Sequence, residues 1–456
     1  MGLDFRIRDF AYPFAMLKAK RRFDRQQYMP SAALEDYQLS RVLTIVSHAY
    51  KNVPYYRGLF DANAIHPSQL AGLSDCSRIP FLTKDILSRS FADLSAANAH
   101  AYKPMTLHTS GTTGGQVKFL VDRASNILEF VYYWRFWGWH GYRIGNRFAE
   151  FSAQRFTPIE KNADRYFELN PLINRLLLNS LLLSKANVRT YVGMFNRFQP
   201  LFLKGLPSNL YVFALLCSEV PNHGISFRAV FSQGENLFPH QRKLIAEVFS
   251  SPVFDSYGHL ERTAAISQCP SGSYHIHADY GFVELVKHRP GVRFTAPLRS
   301  GQSVFEVVGT SLHNLSMPLL RYKTGDLVIL DSGHGRCPCN RTFPVVHSII
   351  GRDSDIVVTA EGRAVTALYV ALDRLPGIAC GQIVQESRDT LVVRIAARPD
   401  AGAGLHHAVA ETIHSFTGPS MKVIVRNCQM DEVYATDGAK FKSIVSHVNP
   451  LSLLSF

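Results

Sequence analysis

The sequence predicts an α/β protein in two parts: a large N-terminal domain of mixed and parallel sheets with crossover helices, then a small α+β C-terminal domain. Three observations carry this. Residues 228–232, 239–249 and 253–257 read as strand, helix and strand, the order in which a parallel sheet and its crossover helices alternate. From Ile356 the texture changes to short apolar strands and compact helices, the pattern of a small α+β module. Between them stands Gly351-Arg352-Asp353-Ser354-Asp355, a polar, glycine-led junction suited to a linker, so the expected domains are 1–352 and 353–456.

Within the larger part, 36–60 has helical periodicity up to the turn Asn52-Val53-Pro54, and 105–108 is a short apolar strand. The helix expected over 124–139 is rich in aromatic residues; Tyr132, Tyr133, Trp134, Phe136, Trp137 and Trp139 read first as helical core and second as contacts for an acyl group. In the smaller part IVVTA, a helix over 367–375, IACGQIVQE, TLVVRIAA, a helix over 405–416 and MKVIVRNC give a βαββαβ-like order.

The chain has 456 residues, 46% of them hydrophobic and 19% charged, an ordinary globular composition for two or three domains. A net charge of +13 suits an anionic partner such as a nucleotide or coenzyme; the basic residues are spread along the chain, so nucleic acid is not expected. Seven cysteines without scaffold spacing point to a reducing compartment, and MGLDFRIRDF lacks the apolar stretch of a signal peptide, which together predict a cytoplasmic protein. The apolar run 171–188 is interrupted by Asn174, Arg175, Asn179 and Lys185 and does not suit a membrane span. Residues 1–25 mix seven Arg/Lys with Phe5, Phe10, Phe14, Met16 and Leu17. They read as an amphipathic helix docked on its own domain, with peripheral contact to an anionic membrane face as the alternative.

HTSGTTGGQVK (108–118) packs nothing, so it is either a solvated loop or one that wraps an anion. It is expected to follow a strand and precede a helix, where backbone N–H groups and hydroxyls converge on phosphate. It lacks the Gly-Lys-Ser/Thr ending of a Walker A loop. Two other segments, QCPSGSYHIH (268–277) and GRCPCNRTFP (335–344), hold Cys269, His275, Cys337 and Cys339, four N/S donors of the kind tetrahedral zinc takes; free thiols in two loops are the alternative.

Nine segments in order, AYKNVPYYRGLF (49–60), RIPFLTKDIL (78–87), HTSGTTGG (108–115), KGLPSNL (204–210), SQGENL (232–237), DSYGHLE (255–261), MPLLRYKTGDL (317–327), IIGRDSD (349–355) and DGAKFKSIV (437–445), carry a family resemblance. Together they resemble the AMP-forming adenylating superfamily, in its phenylacetate-CoA ligase-like branch, close to capsular-polysaccharide-associated members and to synthetases that adenylate a deazaflavin coenzyme. The resemblance implies an adenylate-forming N-terminal domain and a mobile C-terminal domain. It further implies ATP- and Mg2+-dependent conversion of a small carboxylic acid to acyl-AMP and pyrophosphate, followed by transfer to coenzyme A.

Residue by residue, the resemblance gives Thr109, Ser110, Gly111, Thr112, Thr113 and Gly114 to the β- and γ-phosphates. Gly115, Gln116 and Val117 stand where many members have Lys-Pro-Lys, so the loop would hold phosphate through backbone and hydroxyl donors. Within Asp255, Tyr257, Gly258 and Glu261, Tyr257 would meet adenine and Glu261 the metal, with Gly234 and Glu235 as the neighbouring adenine wall. Asp326 would clamp the ribose hydroxyls and Arg352 the ribose or phosphate. Lys440 resembles the catalytic lysine; Ala439 replaces the family's glycine, and Lys442 competes for the role. Ser354 occupies the hinge position. Some relatives bind structural zinc through a Cys…His and a Cys-x-Cys-Gly loop; Asn340 replaces that glycine and can take the same left-handed turn, and His277 is the substitute for His275. His108 and His259 flank these segments and read as structural, with the acyl side as the other use.

Two further functions stay open. Adenylation could end in acyl or nucleotidyl transfer to an acceptor other than coenzyme A. The departures at 115–117, 354 and 439 would also suit a nucleotide-binding scaffold with weakened catalysis.

Overall fold

The computed structural model describes residues 13–108, 117–152, 154–156, 164–183, 185–287, 293–294, 300–332, 337–352, 356–360, 364–366, 368, 372, 375–429, 432–433 and 443–448. In chain order the helices are α1 (Pro13–Gln26), α2 (Ser31–Asn52), α3 (Pro54–Ala62), α4 (Lys84–Arg89), α5 (Phe91–Leu94), α6 (Arg123–Trp139), α7 (Val188–Phe198), α8 (Pro207–Ser218), α9 (Pro239–Val248) and α10 (Leu405–Thr417). The helix expected over 36–60 is two helices because Val53 is extended and Pro54 starts the second, where its missing N–H costs nothing.

β1 (Met105–His108) and β2 (Lys118–Val121) form an antiparallel hairpin with His108 opposite Lys118. This corrects the expected strand–loop–helix setting of the glycine-rich segment: it joins two paired strands, and α6 begins only after β2, capped by Asp122, whose Oδ1 accepts from Ser125 N at 2.6 Å.

The central sheet is built on parallel β3 (Phe148–Ser152), β5 (Arg175–Asn179), β6 (Phe202–Gly205), β7 (Ala229–Gln233) and β8 (Val253–Gly258), in the order β8-β7-β6-β3-β5. β4 (Phe167–Asn170) closes one edge, and β9 (Ala265–Gln268), β10 (Tyr274–Ile276) and β15 (Val345–Val346) extend the other, all antiparallel. Side chains alternate between its faces. Ala149, Phe151, Leu203, Val230 and Val253 pack with residues of α7, α8 and α9. Phe148, Phe202 and Phe231 face α6 and meet Phe136 and Trp137. Helix α1 lies on α6, its Phe23 fully buried with Leu128 and Val131, which is the docked-helix reading of this segment.

A second, antiparallel sheet runs β11 (Gly281–Lys287), β13 (Gln302–Ser311), β14 (Tyr322–Asp331), β16 (Ser348–Arg352). A β-carbon at Gly281 or Gly309 would overlap Thr263, so these two glycines let the turn after β8 press directly on this sheet.

In the C-terminal part the order differs from βαββαβ. The IVVTA strand, β17 (Ile356–Val358), pairs with β18 (Ala364–Thr366), which pairs in turn with β12 (Arg293–Phe294). The main sheet is β21 (Lys422–Asn427), β20 (Thr390–Ala397), β19 (Ile378–Ser387), β22 (Ile444–Ser446), so the last strand comes from the DGAKFKSIV segment. Of the helix expected over 367–375, Leu368 and Leu372 are described among its core residues. Tyr211 on α8 donates to Ala379 O, joining the two parts. Among the described residues no helix is long and apolar enough to cross a membrane.

Candidate active site

The DSYGHLE segment runs off the end of β8 into a turn. Tyr257 donates to Asp326 Oδ2 at 2.6 Å, which brings the expected adenine and ribose residues together across the two sheets. Gly234, at φ 85°, ends β7 beside this point, since Gln233 pairs with Ser256. Glu235 follows it, and Asn236 Nδ2 donates to Ile350 O at 3.2 Å, so that loop reaches β16. Arg352 pairs with Asp326 in the β14–β16 register.

Glu261 is buried, and both its oxygens are engaged: Oε1 accepts from Tyr322 Oη at 3.0 Å and Oε2 lies 3.1 Å from His259 Nδ1. Ala264 N–H donates to His259 Nε2, which leaves the imidazole proton on Nδ1, where it donates to Glu261. Burial alone pushes the carboxyl up; the hydrogen bonds it accepts from His259 and Tyr322 outweigh it and take it down to about 2. Tyr322 and Asp326 share β14, so one strand sets the partners of both Glu261 and Tyr257. Asp255 is different. It is buried, and its oxygens accept from Ser232 Oγ at 3.0 Å and Tyr274 Oη at 3.3 Å, a brace between strands separate from the Tyr257–Asp326 pair.

Two early segments explain themselves as scaffolding for β14. Leu320 N donates to Tyr56 Oη at 2.9 Å, and Arg321 Nη1 donates to Ser77 O and Ile79 O. The expected phosphate residues Thr109–Gly114, with Lys440, Lys442 and Ser354, lie outside the described residues.

A second cluster sits where β10 pairs with β15. The donor atoms of Cys269, His275, Cys337 and Cys339 all lie within 4.8 Å of one another. Cys269 and Cys337 Sγ are 3.6 Å apart, close to the ~3.8 Å that two thiolates on one tetrahedral zinc would show. His275 Nδ1 donates to Phe343 O at 3.2 Å, leaving Nε2, 3.2 Å from Cys339 Sγ, with its lone pair free. Burial takes His275 down to about 4, which keeps it neutral, the ligating form, and pushes the Cys269 thiol up to about 12. Asn340 turns the Cys337–Cys339 loop at φ 60°, as the missing glycine required. His277 is not in the cluster: its Nδ1 pairs with Arg135 and its ring stacks on Trp139.

No protein-family model matches the chain. It is 23% identical to Protein CapK of Staphylococcus aureus over 379 residues, 81% of this chain and 79% of that one, and 24% identical to the phenylacetate-coenzyme A ligase of Aromatoleum evansii, covering 90% and 93%. These similarities support the AMP-forming adenylating superfamily, in its phenylacetate-CoA ligase-like branch, as the group this chain resembles. Its fold is similar to that of 2-hydroxyisobutyryl-CoA ligase in the postadenylation state with 2-HIB-AMP, at TM-score 0.70 and 19% identity over 92% of this chain and 91% of the other.

Sequence reasoning misses the residues that set Glu261 in this chain. His259 stands two positions before it in the same motif and was read as structural; Tyr322 stands four before Asp326 in RYKTGD. Their signal was motif membership alone, because only the fold brings β14 across to the turn after β8.

Proposed function

We propose that this chain is an ATP-dependent, AMP-forming acid–thiol ligase. The observation that carries the reading is the joining of Tyr257, Asp326 and an ionised Glu261 at one corner of two sheets. A carboxylate oxygen of the acid attacks the α-phosphorus of ATP, the bond to the β-phosphate breaks, and pyrophosphate leaves; coenzyme A thiolate then attacks the acyl carbon and AMP leaves. Tyr257, with Gly234 and Glu235, would face adenine, and Asp326 with Arg352 the ribose. Glu261 would hold Mg2+, for which a buried carboxylate kept charged by two donors is a fitting ligand; that ion would offset phosphate charge. Thr109–Gly114 would take the β- and γ-phosphates, and Lys440 would lie against the charge that develops between carboxylate and α-phosphate. Residues 353–456 would move as the second domain, in a reducing cytoplasm. Helix α1 spends Phe23 on α6, which supports docking over membrane contact.

The Cys269, His275, Cys337 and Cys339 donors fit zinc: the number, the spacing and the orientation of Nε2 agree, with Cys269, His275 and Cys337 buried and Cys339 half-buried. Its role there would be to tie β10 to the segment before β15.

The test is ATP–pyrophosphate exchange across a library of carboxylic acids, with mass analysis of the product formed in the presence of coenzyme A. Acid-dependent exchange with an acyl-CoA product is the expected result. Exchange without a thioester would favour a different acceptor, which the similarity to CapK keeps as a second reading. A folded, ATP-binding chain with no exchange for any acid would favour the scaffold.

A further inference from the structure

Arg262 follows Glu261 and takes the left-handed backbone at φ 58°, a conformation a residue with a β-carbon holds only when its surroundings impose it. The consequence is a change of direction. Glu261 points to β14, whereas Arg262 points to α6, where its Nη2 donates to Asn126 Oδ1 at 3.0 Å. Its side chain is only 6% exposed, yet Nε and Nη1 have no hydrogen-bond partner among the described residues. Glu129 Oε2, which also accepts from Tyr280, makes a long ion pair with Nε at 3.8 Å, beyond hydrogen-bond distance. Buried guanidinium N–H groups without acceptors are costly, and one beside a site is expected to find its acceptor in a ligand.

Other unfilled polar groups lie at the same end of the sheet. On the α6 face, where Phe231 packs, the period of two also places Gln233 at the C-terminal end of β7, and its Oε1 is buried without a partner among the described residues. Tyr133 on α6 has no hydrogen-bond partner for its hydroxyl among the described residues, and a β-carbon on Gly258 would lie 3.9 Å from it. Lys204, ending β6, lies over the Tyr133 ring and donates to Glu150. Ligands of parallel α/β sheets sit at these carboxyl ends. The nucleotide residues occupy the β14 side of the turn, so the α6 side remains for the acid.

Resting on the adenylation reading, we infer that Arg262 is a specificity-determining residue and that the acid activated here carries a second oxygen acceptor, a carboxylate or hydroxyl, away from the reacting carboxylate. Arg262 donates to that group, and Gln233 and Tyr133 stand ready for the atoms beside it. A plain aryl or alkyl acid would leave all three unpaired, and a site built on hydrogen bonds rejects the analogue that lacks them.

The experiment is exchange kinetics on two matched sets, butyrate, 4-hydroxybutyrate and succinate, and phenylacetate, 4-hydroxyphenylacetate and 4-carboxyphenylacetate, with wild type and Arg262→Met. In at least one set the wild type is expected to favour an oxygen-bearing acid by about tenfold or more in kcat/KM. The hydroxyl and carboxylate arms tell which acceptor it is. Arg262→Met should lose that preference, with the loss appearing in KM for the oxygen-bearing acid. A wild type that prefers the plain acid in both sets overturns the inference and leaves adenylation standing, and this needs no variant. An unchanged preference in folded Arg262→Met removes Arg262 from the role. No exchange with any acid in either set or the wider library brings down the adenylation reading itself, and the inference with it.

Discussion

Arg135 is buried on α6 and Arg262 is buried against it, one beside His277 and one beside Glu261, and their surroundings differ. Arg135 Nη1 donates to Phe23 O at 3.0 Å and Asp279 Oδ2 at 2.5 Å, while Nη2 donates to Asp279 Oδ1 at 2.9 Å and pairs with His277. Arg262 makes one hydrogen bond, to Asn126. A paired arginine closes a structure, whereas a half-paired one is kept open for something else. The same contrast separates the two clusters. At the cysteine end, four donor groups converge on one another; at the corner, Glu261 and Asp326 are held in place by Tyr322, His259 and Tyr257, where the proposed function puts metal and ribose.

The largest effect should fall at the reactive end, where Lys440→Ala is expected to cost roughly 100-fold or more in exchange rate with ATP binding nearly unchanged, as for a transition-state contact. Lys442→Ala should be mild. If Lys442→Ala is the dead variant, the register of the catalytic lysine moves by two.

At the closed end, metal analysis of purified protein should give about one zinc per chain. Cys337→Ser with Cys339→Ser should lose it and lower Tm by on the order of 5 °C, with exchange on the remaining folded protein little altered. Wild type free of metal and equally stable would erase the distinction between the two ends.

A smaller loss is expected from Asp326→Ala, roughly tenfold in ATP affinity, the scale of hydrogen bonds to a charged group. Inorganic triphosphate, which has no ribose, should bind the variant as it binds wild type. An equal loss for both ligands would take Asp326 out of the ribose clamp.

The smallest effect concerns His259→Ala and depends on pH. Glu261 is depressed from 4.5 to about 2 when folded, so its stabilisation is present above pH 4.5 and is lost as pH falls toward 2. Removing the His259 hydrogen bond, one of several that depress Glu261, should make the urea-measured decline between pH 4.5 and 2 shallower by roughly 1 kcal/mol. An acid limb identical to wild type would mean that His259 does not hold Glu261.

How much of the site was legible followed from where its information is stored. Tyr257, Glu261 and Asp326 could be read because each sits in a short contiguous motif, and the chemistry of a ribose or a metal restricts the residue type at one position. The four clustered donors were legible for the same reason, as two local loops; choosing His275 over His277 required the tertiary structure, since the two histidines stand two positions apart and differ in what packs against them. Phe343 O fixes the first and Arg135 takes the second. The glycine-rich segment was misplaced ahead of a helix because Lys118–Val121 is too short a run to announce a strand without its partner Met105–His108.

By itself, then, the sequence determined the α/β class, the alternation from 228 to 257, the docked α1 and the motif residues, all of which depend on local periodicity or on chemistry confined to a few neighbouring positions. Only the tertiary structure decided that Tyr322 and His259 share Glu261, that Tyr56 and Arg321 anchor β14, that the last strand of the C-terminal sheet is β22, and that Arg262 is buried with nitrogens unpaired. These rest on pairings between segments tens to hundreds of residues apart, and sheet register and hydrogen-bond satisfaction are properties of the packed chain that no local pattern encodes.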